Sequence, residues 1–414
     1  MFTDCCGITM NNHIVITGIG LISSLGIDKE AFWSNLIAKK SGIRPIRSFN
    51  SKAFQAQSAG EIEPFNLKNN IKYKRQKYLN RSTHVCLVAA KMAMDDGNFA
   101  INEYQEDELG LVVGTSHCNL ESIAKIEHAV QKSPLDISPM DGPNGIINIV
   151  ASHLAICNRT KAFNVTLSNG YTAGIDAITY GCRAIEDGLA NIVIAGSVET
   201  LCYEQFYCLN HIKETANKQK KIKMSAPFDK DRNGCILGEG CVFFILEKKK
   251  TAQKRGAYIY GEVSGYERIF SPTDTYASMA KGVSVVMEKA IQNAGLTEKN
   301  IDFVSSAANS DVIQDKIESQ AIENVFGNNT FVGSIKGAVG ECISASGGLQ
   351  VASGLMAFHN DILPPMINFQ APDPGCYLNF VTEPKCAKEI KHILVNNISK
   401  DGNLSALILS RSLK

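Results

Sequence analysis

Apolar positions along the chain follow two periods, and they predict strands and helices in alternation. Residues 13–20 (HIVITGIG) form an apolar run that ends in a glycine turn, and residues 29–38 follow with a helical pattern. Further apolar runs at 109–115, 163–167 and 191–196 also adjoin helical patterns. This alternation predicts parallel or mixed sheets with helices packed on them.

The second half of the chain repeats this order. Its predicted strands and helices lie, in chain order, at 261–266, 277–294, 303–306, 315–325, 331–334, 345–358, 392–396 and 406–409. Two βα-rich halves of related layout indicate an internal duplication. Because no linker rich in Pro, Gly or Ser separates them, we place the boundary at residues 247–256 and expect this stretch on the surface. The resulting division is an extension (1–11), a first half (12–255) and a second half (256–414).

Composition and charge narrow the classes of function. With 414 residues, of which 44% are hydrophobic and 20% charged, the chain can bury a large core. Its formal net charge of +1 gives no global attraction for nucleic acid or an anionic membrane. Since no signal peptide is evident and no apolar run approaches the ~18 residues of a membrane span, we expect a soluble, cytoplasmic protein. A basic run at 218–221 is expected to be solvated surface or, alternatively, a docking site for an acidic carrier protein.

The cysteines indicate a reduced protein. The chain has 13 of them, but none forms a CxxC pair with a matching set of His or Cys partners, which argues against a zinc site. We expect reduced thiols in the core and no directly bound metal or cofactor.

Candidate chemistry centres on residues 168–174 (SNGYTAG), which follow the strand at 163–167. The helix predicted after this turn carries its apolar face at Ile175, Ile178, Cys182, Ile185 and Leu189. A side chain between a strand end and a helix start lies near backbone N–H groups and the positive end of the helix dipole, which favour a thiolate or an oxyanion. Tyr171 occupies the apex instead. A phenol, with a reference pKa of about 10 against about 8.5 for a thiol, is a poor acyl acceptor at pH 7.

Several longer segments carry a family resemblance. They are residues 227–240 (PFDKDRNGCILGEG), 315–322 (DKIESQAI), 364–368 (PPMIN) and 372–376 (PDPGC). In order and spacing they resemble the PFD-R-G-GEG, DxxExxAI, PPTxN and PDxGC elements of the β-ketoacyl synthases, the condensing enzymes of fatty acid and polyketide synthesis. The resemblance spans residues 12–412. It implies an α/β protein with the thiolase fold, in which duplicated βαβαβαββ halves form a five-layer αβαβα sandwich, and an obligate dimer.

The family's catalytic residues are replaced at their aligned positions. Its active turn reads TACxSG, and the cysteine falls on Tyr171. Its two catalytic histidines fall on Ala307 and Glu341, whereas its lysine is retained as Lys336. Without the nucleophile and both imidazoles, we expect no independent condensing activity.

Two further positions depart from the family pattern. The glutamate expected nine residues after the second histidine is Gln350. The closing glycine loop, GFGGTN in active members, reads SKDGNL at residues 399–404, so its gating phenylalanine is Lys400. Of the loop's glycines, Gly402 alone remains.

These replacements leave alternatives open. Tyr171 is either a plug that fills a redundant acyl pocket or the product of drift after catalysis was lost. For Glu341, a buried carboxylate that is paired with Lys336 or hydrogen-bonded locally is favoured over a catalytic acid. Cys342 and Cys182 are expected to be core residues and not substitute nucleophiles.

A helix predicted near residues 119–130 corresponds to the interface helix of related heterodimeric synthases, whose bulky side chains limit the tunnel for the growing chain. The aligned positions are Glu121, Ala124 and His128, and the small Ala124 would leave space there. His117 and His128 belong to this segment and are not expected to be catalytic.

The combined pattern resembles the chain length factor, or ketosynthase β subunit, of a type II polyketide synthase that makes aromatic or aryl polyene products. The resemblance implies pairing with a catalytic ketosynthase α subunit, to whose site an acyl carrier protein delivers malonyl units on its phosphopantetheine. Known members often carry glutamine where Tyr171 stands, so the tyrosine argues against glutamine-assisted decarboxylation. The alternatives are a malonyl-carrier decarboxylase or unusual condensing enzyme that uses Tyr171 or Glu341, and a self-associating scaffold.

Overall fold

The computed structural model describes residues 13–63, 79–99, 106–139, 141–211, 224–272, 275–386 and 388–412. The strands are β1 (Ile14–Ser23), β2 (Arg44–Pro45), β3 (Ser58–Ala59), β4 (Leu109–Gly114), β5 (Phe163–Leu167), β6 (Ile192–Glu199), β7 (Gly240–Lys248), β8 (Gly261–Phe270), β9 (Phe303–Ser305), β10 (Phe331–Gly333), β11 (Ile362–Leu363), β12 (Asn379–Phe380), β13 (Lys385–Cys386), β14 (His392–Ile398) and β15 (Asn403–Ser410). The predicted N-terminal extension and the basic run at 218–221 lie outside the described residues.

The helices are α1 (Lys29–Ile37), α2 (Arg81–Asp96), α3 (Leu120–Lys132), α4 (Asp141–Asn144), α5 (Ile149–Asn158), α6 (Ala173–Glu186), α7 (Tyr203–His211), α8 (Lys249–Lys254), α9 (Tyr276–Asn293), α10 (Val312–Phe326), α11 (Lys336–Val339) and α12 (Ser344–Asn360). Among these helices of the described residues, none has both the length and the apolar composition of a membrane span.

The main sheet is built from two equivalent sets of strands. Its eleven strands follow the order β12-β10-β9-β14-β15-β8-β1-β7-β6-β4-β5. The first half of the chain contributes β5-β4-β6-β7-β1, and the second half contributes β10-β9-β14-β15-β8. In each set, read in this order, the first two pairings are parallel and the last two are antiparallel. This shared order confirms the predicted duplication, and the two sets join where β1 pairs with β8.

Helices form three layers around the two sets of strands. α6 and α12 pack between the sets, α2 and α5 cover the outer face of the first, and α9, with α10 packed on it, covers that of the second. Residues 344–358 of α12 are all buried because the helix has a sheet on both sides. Gly174 lets α6 approach α12 closely, since a Cβ atom there would lie 2.4 Å from the carbonyl oxygen of Ser344. The five-layer αβαβα sandwich of the thiolase fold is therefore confirmed.

One local prediction is wrong, and another holds only in part. Leu189 does not extend the apolar face of α6, because the helix ends at Glu186 and Gly188 adopts a left-handed φ of 75°. Residues 247–256 lie largely at the surface, as expected, but Glu247 within β7 and Ala252 are buried. The Arg255 guanidinium donates to both oxygens of the Glu247 carboxylate, with distances of 2.5 Å and 3.1 Å, and so holds the end of this segment against the sheet.

Candidate active site

The predicted nucleophile turn is present as a short 3₁₀ segment, Gly170–Thr172, between β5 and α6. Tyr171 lies at its apex and is 9% exposed. Gly170 has a φ of 61°, and a Cβ atom there would lie 2.5 Å from Ser399 Oγ in the closing loop. The backbone N–H of Tyr171 donates to the same Ser399 Oγ over 3.3 Å. A donor that could stabilise an anion at this turn is therefore bound by the closing loop.

Lys336 and Glu341 form a buried ion pair beside Ala307. Lys336 Nζ lies 2.8 Å from Glu341 Oε2 and donates to the carbonyl oxygen of Ala307 over 2.7 Å. Ala307 is itself buried and has no side-chain donor. The ion pair favoured from the sequence is formed, and it lies where the resemblance places the second imidazole of active members.

The Glu341 carboxylate is fully engaged in hydrogen bonds. Besides Lys336, Oε2 accepts from Asn309 Nδ2 over 2.8 Å. Oε1 accepts from Ser346 Oγ over 2.6 Å and from the backbone N–H of Ile343 over 2.9 Å. With four donors around it, this carboxylate has no position left for a substrate. The geometry fits a structural role and not that of a catalytic acid.

Gln350 of α12 makes contacts that an ionised glutamate cannot make. Its Nε2 donates to the carbonyl oxygens of Ser305 over 3.0 Å, Ser306 over 2.8 Å and Asn396 over 3.2 Å. An ionised carboxylate is only an acceptor and would face these three oxygens without a donor. Gln350, which stands where the family pattern has glutamate, therefore links α12 to β9, the residue after it and β14.

Lys400 ties the closing loop to the loop that contains Ala307. Its Nζ lies 3.0 Å from Asp311 Oδ2. Asp311 also caps α10 by accepting from the backbone N–H groups of Ile313 and Gln314. Although burial acts to raise the pKa of Asp311, the Gln314 N–H and the Lys400 charge lower it below its usual value. A salt bridge thus stands where active members carry the gating phenylalanine.

Glu318 of α10 is a buried acid next to the Ala307 loop. Its Oε1 accepts from the backbone N–H of Ala307 over 2.8 Å and from Asn396 Nδ2 over 2.7 Å. Its Oε2 has no hydrogen-bond partner among the described residues. Burial raises the pKa of Glu318 to about 7, although the donors Asn396 and Ala307 act to lower it. Glu318 therefore titrates near neutral pH.

We expect Glu318→Gln to stabilise the protein at alkaline pH relative to the wild type. Because the folded-state pKa is raised, the folded chain binds more protons than the unfolded chain between pH 4.5 and about 7, and wild-type stability falls as pH rises through this window. Glu318→Gln has no proton to lose at this position, so its stability does not fall in this way. The unfolding free energy of Glu318→Gln minus that of the wild type should therefore rise by roughly 2–3 kcal/mol from pH 5 to pH 8.

Urea unfolding followed by circular dichroism at both pH values measures this difference. Glu323→Gln is the matched control, because Glu323 is exposed on the same helix and should show no such change. Parallel pH dependence of the wild type and Glu318→Gln would contradict the raised pKa.

The remaining residues selected from the sequence lie apart from this buried cluster. Glu121 pairs with Lys125 at 2.6 Å on α3, and His128 is exposed on the same helix. Ala124 is half-buried, and Ser122 is the one buried residue of α3. α3 is therefore a largely exposed helix of this chain.

Both cysteines considered as substitute nucleophiles are buried. Burial raises the pKa of the Cys342 and Cys182 thiols far above the usual value, so neither supplies a thiolate. His117 does not lie on α3, contrary to its assignment to that helix, because α3 begins at Leu120. It precedes the helix and contacts Glu199.

Comparisons with known proteins establish the family. The beta-ketoacyl synthase N-terminal domain matches residues 11–252, and the beta-ketoacyl synthase C-terminal domain matches residues 260–370. The chain belongs to the β-ketoacyl synthase family. One relative, 3-oxoacyl-(acyl-carrier-protein) synthase 2 of Coxiella burnetii, is 29% identical over 412 residues, which cover 96% of this chain and 98% of the relative. The synthase 2 of Synechocystis sp. is also 29% identical, over 401 residues that cover 94% of this chain and 96% of the relative.

Solved structures of β-ketoacyl synthases share the fold. The ishigamide ketosynthase/chain length factor superposes with a TM-score of 0.89 and 26% identity over 97% of this chain and 100% of that chain. A beta-ketoacyl synthase from Burkholderia phymatum superposes with a TM-score of 0.88 and 23% identity over 97% of this chain and 100% of that chain. At that identity the second likeness shows the fold alone.

Sequence reasoning missed three residues of this β-ketoacyl synthase site. Ser399 replaces a glycine of the closing loop, and its contact with Tyr171 joins residues far apart in the sequence. Glu318 belongs to the family segment at 315–322 and Asn309 lies two residues after Ala307, but neither was selected as a site residue. For Ser399 the sequence offers one signal of a role in the site: it is a polar residue at a position where active members carry glycine.

Proposed function

We propose that this chain is the chain length factor, or ketosynthase β subunit, of a type II polyketide synthase. It pairs with a catalytic ketosynthase α subunit and shapes the elongation tunnel between them. One observation carries the proposal. Within an intact thiolase fold, Tyr171 replaces the acyl acceptor, and the buried Lys336–Glu341 pair replaces an imidazole.

The chemistry of the site supports a subunit without its own condensing step. Condensation needs an acyl acceptor and N–H donors for the enolate that forms as malonyl loses carbon dioxide. Tyr171 is a poor acceptor, and its backbone N–H is bound by Ser399. Loss of one oxyanion donor alone lowers the rate by about 10²- to 10³-fold. Here the nucleophile and both imidazoles are replaced as well.

The edge of the main sheet at β5 has features that fit pairing with another chain. β5 is the last strand, and among the described residues it pairs only with β4. Ile123 and Val130 of α3 and Ile146 beyond α4 are exposed apolar side chains. Free strand edges and apolar surface are features that a partner covers. We assign β5 and α3, with its tunnel position Ala124, to the contact with the catalytic subunit.

The likeness to the ishigamide ketosynthase/chain length factor supports this assignment, at 26% identity. The curated relatives are named for the acyl-carrier protein. In the proposed complex an acyl carrier protein delivers malonyl units on its phosphopantetheine to the partner's site, and this chain holds no cofactor itself.

Co-expression with an intact ketosynthase encoded next to this gene tests the proposal. We expect a stable complex with one copy of each chain, because the free β5 edge and α3 need a partner. Incubated with malonyl-loaded carrier protein and an acyl donor, the complex should be acylated on the partner's cysteine and not on Tyr171, as peptide mass spectrometry would show.

The control is Tyr171→Phe, which should leave product formation by the complex unchanged because the hydroxyl takes no part in acyl transfer. A stable homodimer that accepts an acyl group would overturn the proposal. Release of carbon dioxide from malonyl-carrier by this chain alone would instead support the alternative, an enzyme that uses Tyr171 or Glu341.

A further inference from the structure

A second buried carboxylate lies close to the Tyr171 turn. Glu199 is the last residue of β6 and is fully buried. Its Oε2 accepts from Ser344 Oγ over 2.5 Å and from the Ser116 N–H over 3.2 Å, and its Oε1 accepts from the His117 N–H over 2.9 Å. Among the described residues, His117 is the one basic side chain paired with Glu199.

The imidazole of His117 is held on one side and accessible on the other. Its Nδ1 lies 3.6 Å from Glu199 Oε1 and 3.2 Å from Gln205 Nε2. Its side chain remains 38% exposed, and Nε2 has no hydrogen-bond partner among the described residues. Burial acts to lower the pKa of His117, but the hydrogen bond and charge of Glu199 raise it above its usual value. Because the Gln205 amide nitrogen can only donate, Nδ1 accepts from it and the ring proton lies on Nε2, which has no partner among the described residues.

His117 stands between the Tyr171 turn and the helix assigned to the interface. The neighbouring Ser116 donates through Oγ to the carbonyl oxygen of Gly170, over 3.1 Å, directly before Tyr171. On the other side, α3 begins at Leu120, three residues after His117. The segment that carries His117 is therefore joined both to the turn and to the helix along which an acyl chain from a partner's site would pass.

We infer that His117 binds the 3-oxo oxygen of an acyl chain and thereby selects oxygenated chains over saturated ones. The chain would come from the partner's site, so the inference rests on the proposed function. A ketone oxygen accepts a hydrogen bond from the imidazole N–H, whereas an alkyl chain leaves that donor without a partner. Glu199 and Gln205 act through His117 as positioning residues.

Binding of two thioester probes to the chain, labelled with ¹⁵N-histidine, tests the inference. The probes are 3-oxooctanoyl- and octanoyl-N-acetylcysteamine, which differ in the ketone. The His117 signals are identified among the eight histidines of the chain by their loss in His117→Gln. We expect the 3-oxo probe to shift them and to bind at least roughly fivefold more tightly than octanoyl, the effect of one hydrogen bond.

His117→Leu should abolish this preference, and His359→Leu, at an exposed histidine near the end of α12, is the matched control that should keep it. Equal binding of the two probes to the wild type, or a preference that survives in His117→Leu, overturns the inference. Because the measurement needs no partner, it separates the two proposals. If the chain prefers the 3-oxo probe but forms no complex with the ketosynthase, the chain length factor proposal fails and the role of His117 is supported. If the complex forms but the chain shows no preference between the probes, only the role of His117 fails.

Discussion

Glu341→Ala is expected to lower the free energy of unfolding by about 3–5 kcal/mol. The variant leaves Lys336 Nζ buried, with the carbonyl oxygen of Ala307 at 2.7 Å as its remaining acceptor. Removing one member of a buried ion pair is more costly than the pair is stabilising, because the other charge stays without a counter-charge in a medium of low polarity. Urea unfolding of the purified chain, followed by circular dichroism, measures the loss.

Two controls separate this charge effect from the loss of packing. The double variant Lys336→Met/Glu341→Leu removes both charges, and we expect it to be more stable than Glu341→Ala. Lys91→Ala breaks a pair with Asp95 whose side chains are 49% and 63% exposed, and it should lower stability by about 0.3–0.5 kcal/mol. A loss below about 1 kcal/mol for Glu341→Ala would contradict the structural role of the pair.

The side chains at the replaced catalytic positions are held by hydrogen bonds and ion pairs to their neighbours. These contacts help to decide whether the site was selected or has drifted. Glu341 satisfies Lys336, Asn309 and Ser346 together. Gln350 donates to three carbonyl oxygens, and Lys400 joins the closing loop to Asp311. Each of these replaced side chains has partners among the surrounding residues, an agreement that independent drift would not require. These shared partners favour selection for a stable site over independent drift.

The sequence predicted the elements around the site well, because local patterns determine them. The strand expected at 163–167 is β5 without change, and the period-3.6 pattern after residue 172 is α6. The pairing of Glu341 with Lys336, expected because a buried carboxylate needs a partner, is also present. Where local signals were misjudged, the cause is identifiable. Gly188, with its left-handed φ of 75°, ends α6 before Leu189.

The other features depend on contacts between distant segments. Ser399 meets Tyr171 across 228 positions, and Glu199 meets the His117 N–H across 82. The local sequence patterns around these residues do not show that the atoms will touch. The contacts arise only when distant segments assemble around the main sheet. The same holds for Glu247, which lies in a charged stretch but is buried because β7 pairs with β1 on one side and β6 on the other.

Tyr171→Cys is expected to make the isolated chain accept an acyl group that the wild type does not accept. At neutral pH a thiol is ionised roughly 30-fold more than a phenol, and the start of α6 stabilises the thiolate further. Ser399 still occupies the backbone N–H at this turn, over 3.3 Å. Adding Ser399→Ala should therefore raise the acylation rate again, by roughly 10-fold, the effect of one competing hydrogen bond of about 1.4 kcal/mol.

Intact-protein mass spectrometry with octanoyl-N-acetylcysteamine measures both acylation rates, and alkylation by iodoacetamide is the control. Alkylation needs a thiolate but no oxyanion donor, so Ser399→Ala should leave its rate at Cys in the Tyr171→Cys chain unchanged. Equal acylation with and without Ser399→Ala would show that the closing loop does not block the N–H of Tyr171. Octanoyl transfer to Tyr171 in the wild type, at a rate comparable with Tyr171→Cys, would mean that the phenol is itself a nucleophile, and the chain would then be an enzyme in its own right. We expect neither, because a neutral phenol with its backbone donor engaged has no means of stabilising the tetrahedral oxyanion.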